Sequence, residues 1–202
     1  MIDKSIPHYR IIMKYYGDIS SFTEPVLPQG FRFKGYESGD REKWADIECS
    51  VGEFETTDKA AEYFDKEFMP HEELLKDRCL FIIDGQGNYA GTSSAWFFDK
   101  EGPRMGMVHW VAVKPEYQGL GLGKALVQKI MSLFPIYEPG CGIFLHTQTW
   151  SHKAVVLYSR LGFRMMKKES FGGRTNDYYN AIEVLKGCVD NNSYERLVNE
   201  AI

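Results

Sequence analysis

The amino-acid sequence predicts an α/β domain in which helices flank a central sheet. An apolar run that ends at Val113 is followed by a turn through Pro115, a glycine cluster and an amphipathic helix. Two further apolar runs are joined by Gly-Gln-Gly at 85–87, which predicts an antiparallel hairpin. Of the 202 residues, 44% are hydrophobic, enough for a proper core, and no Pro/Ser-rich linker divides the chain. We therefore expect one domain with short terminal additions.

The first half of the chain predicts strands and helices in alternation. Residues 1–29 are expected to be an N-terminal extension without a regular element, because Pro25 and Pro28 disfavour helix and strand. FRFKGYE, directly after Gly30, alternates as a strand does. Two helices are predicted next, one over 41–51 with its cap within 38–40, and one from about 57 that ends near Pro70. Three strands follow, over 79–84, over 88–98 and in the run that ends at 113, with a turn at 101–103 before the last of them.

The second half begins with the helix that follows the glycines. Leu122, Leu126, Ile130 and Leu133 recur at helical spacing, which predicts a helix over 121–134. Gly162 is placed to end a later helix in the left-handed conformation. The other expected elements are a loop over 135–140, a strand IFLHTQ, a helix over 151–161, an antiparallel strand pair at 163–170 and 178–185, and a short helix or loose tail over 187–202.

The glycine cluster has the character of an anion site. At the start of a helix several backbone N–H groups have no intrahelical partner, and the helix dipole adds a partial positive charge. Glycines let such a backbone approach a phosphate without a Cβ in the way. The spacing does not fit a nucleotide P-loop, because Gln118 stands at its first glycine and Ala125 follows the lysine, and it does not fit the dinucleotide motif G-x-G-x-x-G. A plain strand-to-helix turn is the alternative interpretation.

Two segments together resemble the GCN5-related N-acetyltransferase superfamily. Gln118, Gly121 and Gly123 match its Gln/Arg-x-x-Gly-x-Gly/Ala pyrophosphate loop, and SHKAVVLYSRLGF at 151–163 is similar to its N-x-x-A-x-x-L-Y-x-x-x-G-F segment. The resemblance covers roughly 30–186, which we expect to be the catalytic domain. It implies a mixed, mostly antiparallel twisted sheet of about six or seven strands, flanked by helices and splayed where the cofactor inserts.

The same resemblance implies acetyl-CoA as the cosubstrate and assigns the residues that hold it. The pyrophosphate is expected on backbone N–H groups of the loop, and the pantetheine arm along the end of the preceding strand as a pseudo-strand. Ser151 stands where the family usually has Asn, so that contact with the arm is less well matched. The residues expected to bind the cofactor are Val111, Ala112, Val113, Gln118, Gly119, Leu120, Gly121, Leu122, Gly123, Lys124, Ser151, Ala154 and Tyr158.

Tyr158 and His109 are the expected catalytic residues. Tyr158 occupies the position of the family's general acid, and a phenol, with an ordinary pKa of about 10, carries a proton at neutral pH; a packed core tyrosine is the alternative. His109 lies two residues before Val111, so strand alternation puts both on one face, and it resembles the base of the arylalkylamine acetyltransferases. A packed strand histidine is the alternative there, and His146 is the second candidate for the base.

Several residues are candidates for the acceptor side, each with a structural alternative. Glu53 and Glu55 would attract an ammonium group, or form a solvated loop. Arg174, in the loop 170–177, would pair with a carboxylate, or lie in a solvated turn. Aromatic residues that would either wall an acceptor pocket or fill the core are Trp96, Trp110, Trp150, Phe97, Phe98 and Phe144.

Composition narrows the classes of partner. The net charge of −4 and the absence of a basic stripe argue against nucleic acid. The four cysteines lack C-x-x-C spacing, so no metal site is expected. Without a signal peptide or membrane span in the sequence, we expect a soluble cytoplasmic protein. Strands near the C terminus would allow pairing between subunits, so a homodimer is one expected state.

The leading hypothesis is an acetyl-CoA-dependent N-acetyltransferase that moves an acetyl group to a primary amine of a small molecule or peptide by direct attack in a ternary complex. Two alternatives stay open. One is a non-catalytic CoA-binding module of the same fold, and the other is a transferase of a longer acyl group.

Overall fold

A computed structural model describes residues 2–99, 102–170 and 173–202. Within these ranges the chain forms one seven-stranded sheet of order β2-β3-β4-β5-β6-β1-β7, together with seven α-helices. The strands are β1 Arg10–Tyr15, β2 Arg32–Gly35, β3 Cys79–Ile83, β4 Tyr89–Phe98, β5 Met105–Val113, β6 Ile143–Gln148 and β7 Phe163–Met165. The helices are α1 Arg41–Val51, α2 Thr57–Glu67, α3 Glu72–Arg78, α4 Leu122–Tyr137, α5 His152–Arg160, α6 Tyr178–Lys186 and α7 Asn191–Asn199.

The sheet is open and mixed, as predicted. β2 pairs with β3, β3 with β4, and β1 with both β6 and β7, all antiparallel. β5 and β6 are parallel, in a register that joins Gly106 to Ile143 and Met107 to Phe144. The described residues divide into two compact units, one of 19–96 and 108–139 and one of 2–18, 97–107 and 140–202. The boundaries predicted at residues 29 and 186 separate a catalytic domain from two terminal segments. They do not describe these compact units, and they stay a prediction.

In the first unit, α1 and α2 pack through aromatic residues. Trp44 and Phe64 are fully buried, with ring centroids 5.3 Å apart. α1 ends where Gly52 takes a left-handed φ of 92°, and α2 begins after Thr56, whose side chain accepts a hydrogen bond from the Lys59 N–H. Both helices lie where the sequence predicts them. The helix α3 was not predicted.

The helix after the glycines is longer than predicted. Its buried face includes Leu122, Leu126 and Ile130, as expected from their spacing. It continues through Pro135 to Tyr137, so the loop predicted over 135–140 is wrong in its first residues. The Glu138 N–H donates to the Phe134 carbonyl at 2.8 Å, which closes a helical turn across the proline.

In the second unit, two predictions are wrong, one for residues 1–29 and one for residues 178–185. Residues 1–29 contain a regular element, because β1 lies between β6 and β7 in the sheet and buries Ile11, Ile12 and Met13. Pro25 and Pro28 follow this strand by ten residues or more and have no bearing on it.

The second strand of the predicted C-terminal pair is instead the helix α6. Tyr178, Ala181, Ile182 and Leu185 are buried, and their spacing is that of one helical face. The first strand of that pair shrinks to β7, which pairs with β1. A homodimer stays a prediction, without the strand at 178–185 that suggested it.

Two smaller predictions are resolved in the same unit. Gly162 has a left-handed φ of 96°, which confirms the predicted helix end. A short helix, α7, does form within 187–202, and its cap Asp190 accepts a hydrogen bond from the Ser193 N–H. Residue 101 of the predicted turn and residues 171–172 of the predicted loop lie outside the described residues. Among the residues the structure describes, no helix is both long and apolar enough to cross a membrane.

Candidate functional site

The glycine loop between β5 and α4 has an open, exposed backbone. Gly119 and Gly121 have left-handed φ values of 83° and 81°, and a Cβ added to either would meet no atom within 4 Å. Gly121 is also the N-cap of α4, so no side chain caps the first N–H groups of the helix. The first hydrogen bond of the helix is donated by the Ala125 N–H to the Gly121 carbonyl, at 3.1 Å. The N–H groups at the start of the helix, ahead of Ala125, therefore have no carbonyl of the same helix to donate to, and they lie at the positive end of a helix of 16 residues.

The start of the loop is tied to its surroundings. The Gln118 side chain donates through Nε2 to the Val113 carbonyl at 2.9 Å, and the Gln118 N–H donates to the Pro115 carbonyl at 3.2 Å. The Tyr117 hydroxyl donates to Asp84 at 3.0 Å. Asp84 also accepts hydrogen bonds from Asn88, and these bonds lower its pKa to about 2. Because the Gln118 amide is engaged, the amides available to an anion begin at Gly119.

The end of β5 leads directly into this loop. Ala112 is buried, while Val111 and Val113 are half-buried. Trp110 has a φ of 49°, the one left-handed non-glycine residue in the described chain. This conformation interrupts the regular alternation that was used to place His109 and Val111 on one face of the strand. No signal in the sequence predicts it.

His109 is buried beside an acid. Its side chain is enclosed by Phe68 and Trp110, with ring centroids 5.7 Å and 5.6 Å away, and 3% of the residue is exposed. Its Nε2 lies 3.9 Å from a carboxylate oxygen of Glu67, the last residue of α2. Glu67 carries no signal in the sequence, because a charged residue at the end of an amphipathic helix is ordinarily solvated.

In the second unit, three predicted cofactor residues lie at the N-cap of α5 and along the helix. Ser151 precedes the helix, and its hydroxyl lies 3.4 Å from Nε2 of Gln148. Ala154 is half-buried, and Tyr158 is buried, with its ring centroid 6.0 Å from that of Phe163. Spacings of three and four residues put Ser151, Ala154 and Tyr158 on one side of α5.

His146, the second candidate for the base, lies on β6 of the same unit. Burial lowers its pKa to about 4, and the charges of Arg174 and Arg10 add to this effect. His146 is therefore neutral at physiological pH. Arg174 is half-buried rather than fully solvated.

The predicted acceptor residues have different environments. Glu55 is exposed and pairs with Lys59 on the surface of α2, whereas Glu53 is half-buried, and its N–H donates to the Glu48 carbonyl at 3.2 Å. Trp150 donates through Nε1 to the carbonyl of Ile6 at 2.8 Å. Trp96, Phe97 and Phe144 are buried, Phe98 is half-buried, and Trp110 joins a cluster with Trp44, Phe54 and Tyr63.

The sequence-based predictions included neither the aromatic cluster around Trp110 nor the buried acid Glu48, which follows Trp44 by one turn of α1. Glu48 is 1% exposed and occupies the buried face of α1 together with Trp44, Ile47 and Val51. A signal was available, because an acid at the spacing of an apolar helical face breaks the expected pattern.

Comparison with known proteins shows which family this sequence matches. The sequence model of the acetyltransferase (GNAT) family matches residues 42–163. The mycothiol acetyltransferase of Paenarthrobacter aurescens is 26% identical over 166 residues, which cover 75% of this chain and 48% of that protein. The mycothiol acetyltransferase of Pseudarthrobacter chlorophenolicus is 30% identical over 151 residues, covering 69% and 44%. The chain thus spans about half the length of these curated relatives.

A solved structure has the same fold. The GCN5-related N-acetyltransferase from Sphaerobacter thermophilus superposes with a TM-score of 0.61 at 20% sequence identity, over 79% of this chain and 49% of that one. At that identity the likeness concerns the fold alone. It agrees with the open mixed sheet and flanking helices described above.

Proposed function

The chain belongs to the acetyltransferase (GNAT) family, and from this premise we propose that it transfers an acetyl group from acetyl-CoA to a primary amine of a small molecule or peptide. The observation that carries the proposal is the open backbone at Gly119 and Gly121, ahead of a 16-residue helix. Unpartnered amides at a helix start suit a diphosphate, which can accept several charge-assisted hydrogen bonds. Coenzyme A presents such a diphosphate.

The amides from Gly119 to Lys124 would hold the diphosphate in this proposal. Gln118 takes a supporting role, because its side chain and its N–H are both engaged in holding the loop to the end of β5. Leu120 and Lys124 are exposed. The pantetheine arm would then run along Val111, Ala112 and Val113, which follow the part of β5 that pairs with β6. Ser151 and Ala154 would contact the same arm.

The chemistry proposed is direct attack without an acyl-enzyme. The amine nitrogen forms a bond to the thioester carbon, the carbon–sulfur bond breaks, and the thiolate takes a proton. The Val111 N–H would face the thioester oxygen, and one such pre-placed donor lowers the barrier by about 3 kcal/mol. Tyr158 would supply the proton to the thiolate. His109, held beside Glu67, would take the proton that the amine loses.

An amine-library screen with acetyl-CoA and a thiol readout tests this function. Release of CoA that depends on an amine supports it, and the panel should include the acceptor of the mycothiol acetyltransferases, since relatives carry that name. Tight acetyl-CoA binding without CoA release for any amine would favour the non-catalytic module. Comparing acetyl-CoA with longer acyl-CoA donors decides the acyl group transferred.

A further inference from the structure

Four aromatic side chains of the first unit meet between α1, α2 and β5. Trp44 is fully buried, whereas Phe54, Tyr63 and Trp110 are half-buried, so the cluster has a closed floor and a partly exposed rim. Three of these rings belong to regular elements. Phe54 alone lies in the segment 52–56 that connects α1 to α2.

The Phe54 ring occupies a position with the dimensions of a cation site. Its centroid lies 6.0 Å from that of Trp44, 5.5 Å from that of Tyr63 and 5.3 Å from that of Trp110. A cation is attracted to an aromatic face when it lies within about 6 Å of the ring centroid. An ammonium group in the place of the Phe54 ring would therefore interact with three aromatic rings at once. The remaining rings stay in place through their own helices and strand.

A buried acid on the same face of α1 as Trp44 points to the same ligand. Glu48 is 1% exposed, lies one helical turn after Trp44 on the buried face of α1, and its Oε1 has no hydrogen-bond partner in the described part of the chain. A buried acid without a partner is costly unless a cation or donor compensates it. Burial raises the pKa of Glu48 well above its ordinary value, and the charge of Glu53 raises it further. The raised pKa favours the neutral acid while the position is filled by Phe54, and a cation bound beside Glu48 would favour its ionised form.

We propose that the place of the Phe54 ring is an ammonium subsite for the acceptor, formed by Trp44, Tyr63, Trp110 and Glu48, and that Phe54 fills it until the acceptor displaces the 52–56 segment. This assignment deepens the acetyl-transfer function proposed above and rests on it. Trp110 directly precedes Val111, the residue proposed to face the thioester. The subsite therefore lies within reach of the reacting carbonyl.

The subsite also defines the class of acceptor. Aromatic faces and a carboxylate stabilise the charged form of a bound amine, so the nitrogen held there keeps its proton and cannot attack. A second, neutral nitrogen must be the nucleophile. The acceptor is then a molecule with two basic nitrogens, such as a diamine, in which one nitrogen anchors and the other is acetylated.

Direct binding of a small cation tests the subsite without any acetyl donor. Choline is titrated into the 202-residue chain, with tryptophan fluorescence as the readout, and 3,3-dimethyl-1-butanol serves as its neutral isostere. We expect saturable binding of choline and none of the alcohol. Phe54→Ala should tighten choline binding at least threefold, because no ring has to be displaced, and Glu48→Gln should weaken it about tenfold, equivalent to about 1.4 kcal/mol.

Phe31→Ala is the matched control. Phe31 is also a half-buried phenylalanine outside helices and strands in the first unit, but its ring contacts Tyr117, 5.9 Å away. Its removal should leave choline binding unchanged. Equal binding of choline and the alcohol, or a Phe54→Ala variant that binds choline no better than the parent, would show that the cluster is only an apolar core.

Turnover then tests the acceptor class. With acetyl-CoA saturating, 1,4-diaminobutane should be acetylated with a kcat/KM at least tenfold above that of 1-aminobutane, and Glu48→Gln should remove the preference. Acetylation of amines without choline binding would overturn the subsite and leave the proposed function intact. Choline binding without any acetyl transfer would overturn the proposed function and, with it, the role of the subsite in holding an acceptor.

Discussion

Substituting Gly121 by alanine separates the stability of the glycine loop from its affinity for coenzyme A. Gly121 has a φ of 81°, and an added Cβ would meet no protein atom within 4 Å. The cost to folding is therefore only that of a left-handed alanine, roughly 1 kcal/mol. The added methyl group would, however, stand on the open side of the amides that we assign to the diphosphate.

Gly121→Ala should change the affinity for CoA by more than it changes the free energy of unfolding. A hydrogen bond to a charged group contributes about 1.5–3 kcal/mol, so keeping the diphosphate from even one amide should raise the Kd for CoA by about tenfold or more. Gly140→Ala is the matched control, because Gly140 has a φ of 76°, and a Cβ there also meets nothing within 4 Å. Gly140 follows the far end of α4, a helix of 16 residues that is about 24 Å long.

Calorimetric titration of CoA and urea unfolding measure the two quantities on the same samples. Both variants should lose roughly 1 kcal/mol of unfolding free energy. Only Gly121→Ala should bind CoA more weakly. Parent-like CoA affinity in Gly121→Ala, or an equal loss in Gly140→Ala, would refute the assignment of the loop to the diphosphate.

Four further outcomes follow from the side chains described. Tyr158→Phe should lower kcat while acetyl-CoA affinity stays nearly intact; unchanged turnover would remove its role as the acid. His109→Gln should alter the pH dependence of kcat/KM, and a profile identical to that of the parent would reject it as the base. Burial raises the pKa of Glu48, so the folded state loses stability as pH rises above the ordinary carboxyl range. Glu48→Gln should therefore be more stable than the parent at pH 8 and equal to it near pH 4. Equal stability of the two proteins in urea at both pH values would contradict this. The pKa of His146, lowered from 6.5 to about 4, makes the folded state lose up to about 3 kcal/mol as pH falls through that interval, and His146→Gln should flatten this slope in urea titrations; an unchanged slope would contradict it.

The sequence was most informative where a local rule determines the backbone. The strand, glycine loop and helix around Gly121 were predicted because few residues other than glycine adopt a positive φ ahead of an amphipathic helix. The hairpin at 85–87 and the left-handed Gly162 follow from the same rule. Of these positions, the glycine loop and Gly162 also carried the family resemblance.

The errors arose where tertiary context or a competing pattern decided the outcome. β1 is a short run of buried apolar residues whose assignment depends on pairing with β6 and β7, partners more than a hundred residues away. In 178–185 the helical spacing of Tyr178, Ala181 and Leu185 competes with a β-strand interpretation of the same residues, and the helix forms. The left-handed Trp110 has no local signal at all.

The acceptor side was the least predictable part of the site. Phe54, Tyr63 and Trp110 come from three different segments, and only the folded chain brings their rings to within 5.1–5.5 Å of one another. Glu48 is recognisable in the sequence as an acid on an apolar helical face, but nothing in the sequence shows which rings of the cluster meet.

A crystal structure of the protein with acetyl-CoA would show whether the glycine loop holds the diphosphate. We expect the diphosphate oxygens at about 3 Å from backbone nitrogens between Gly119 and Lys124, with the thioester beside Val111. A diphosphate bound elsewhere, with those amides still facing solvent, would contradict it.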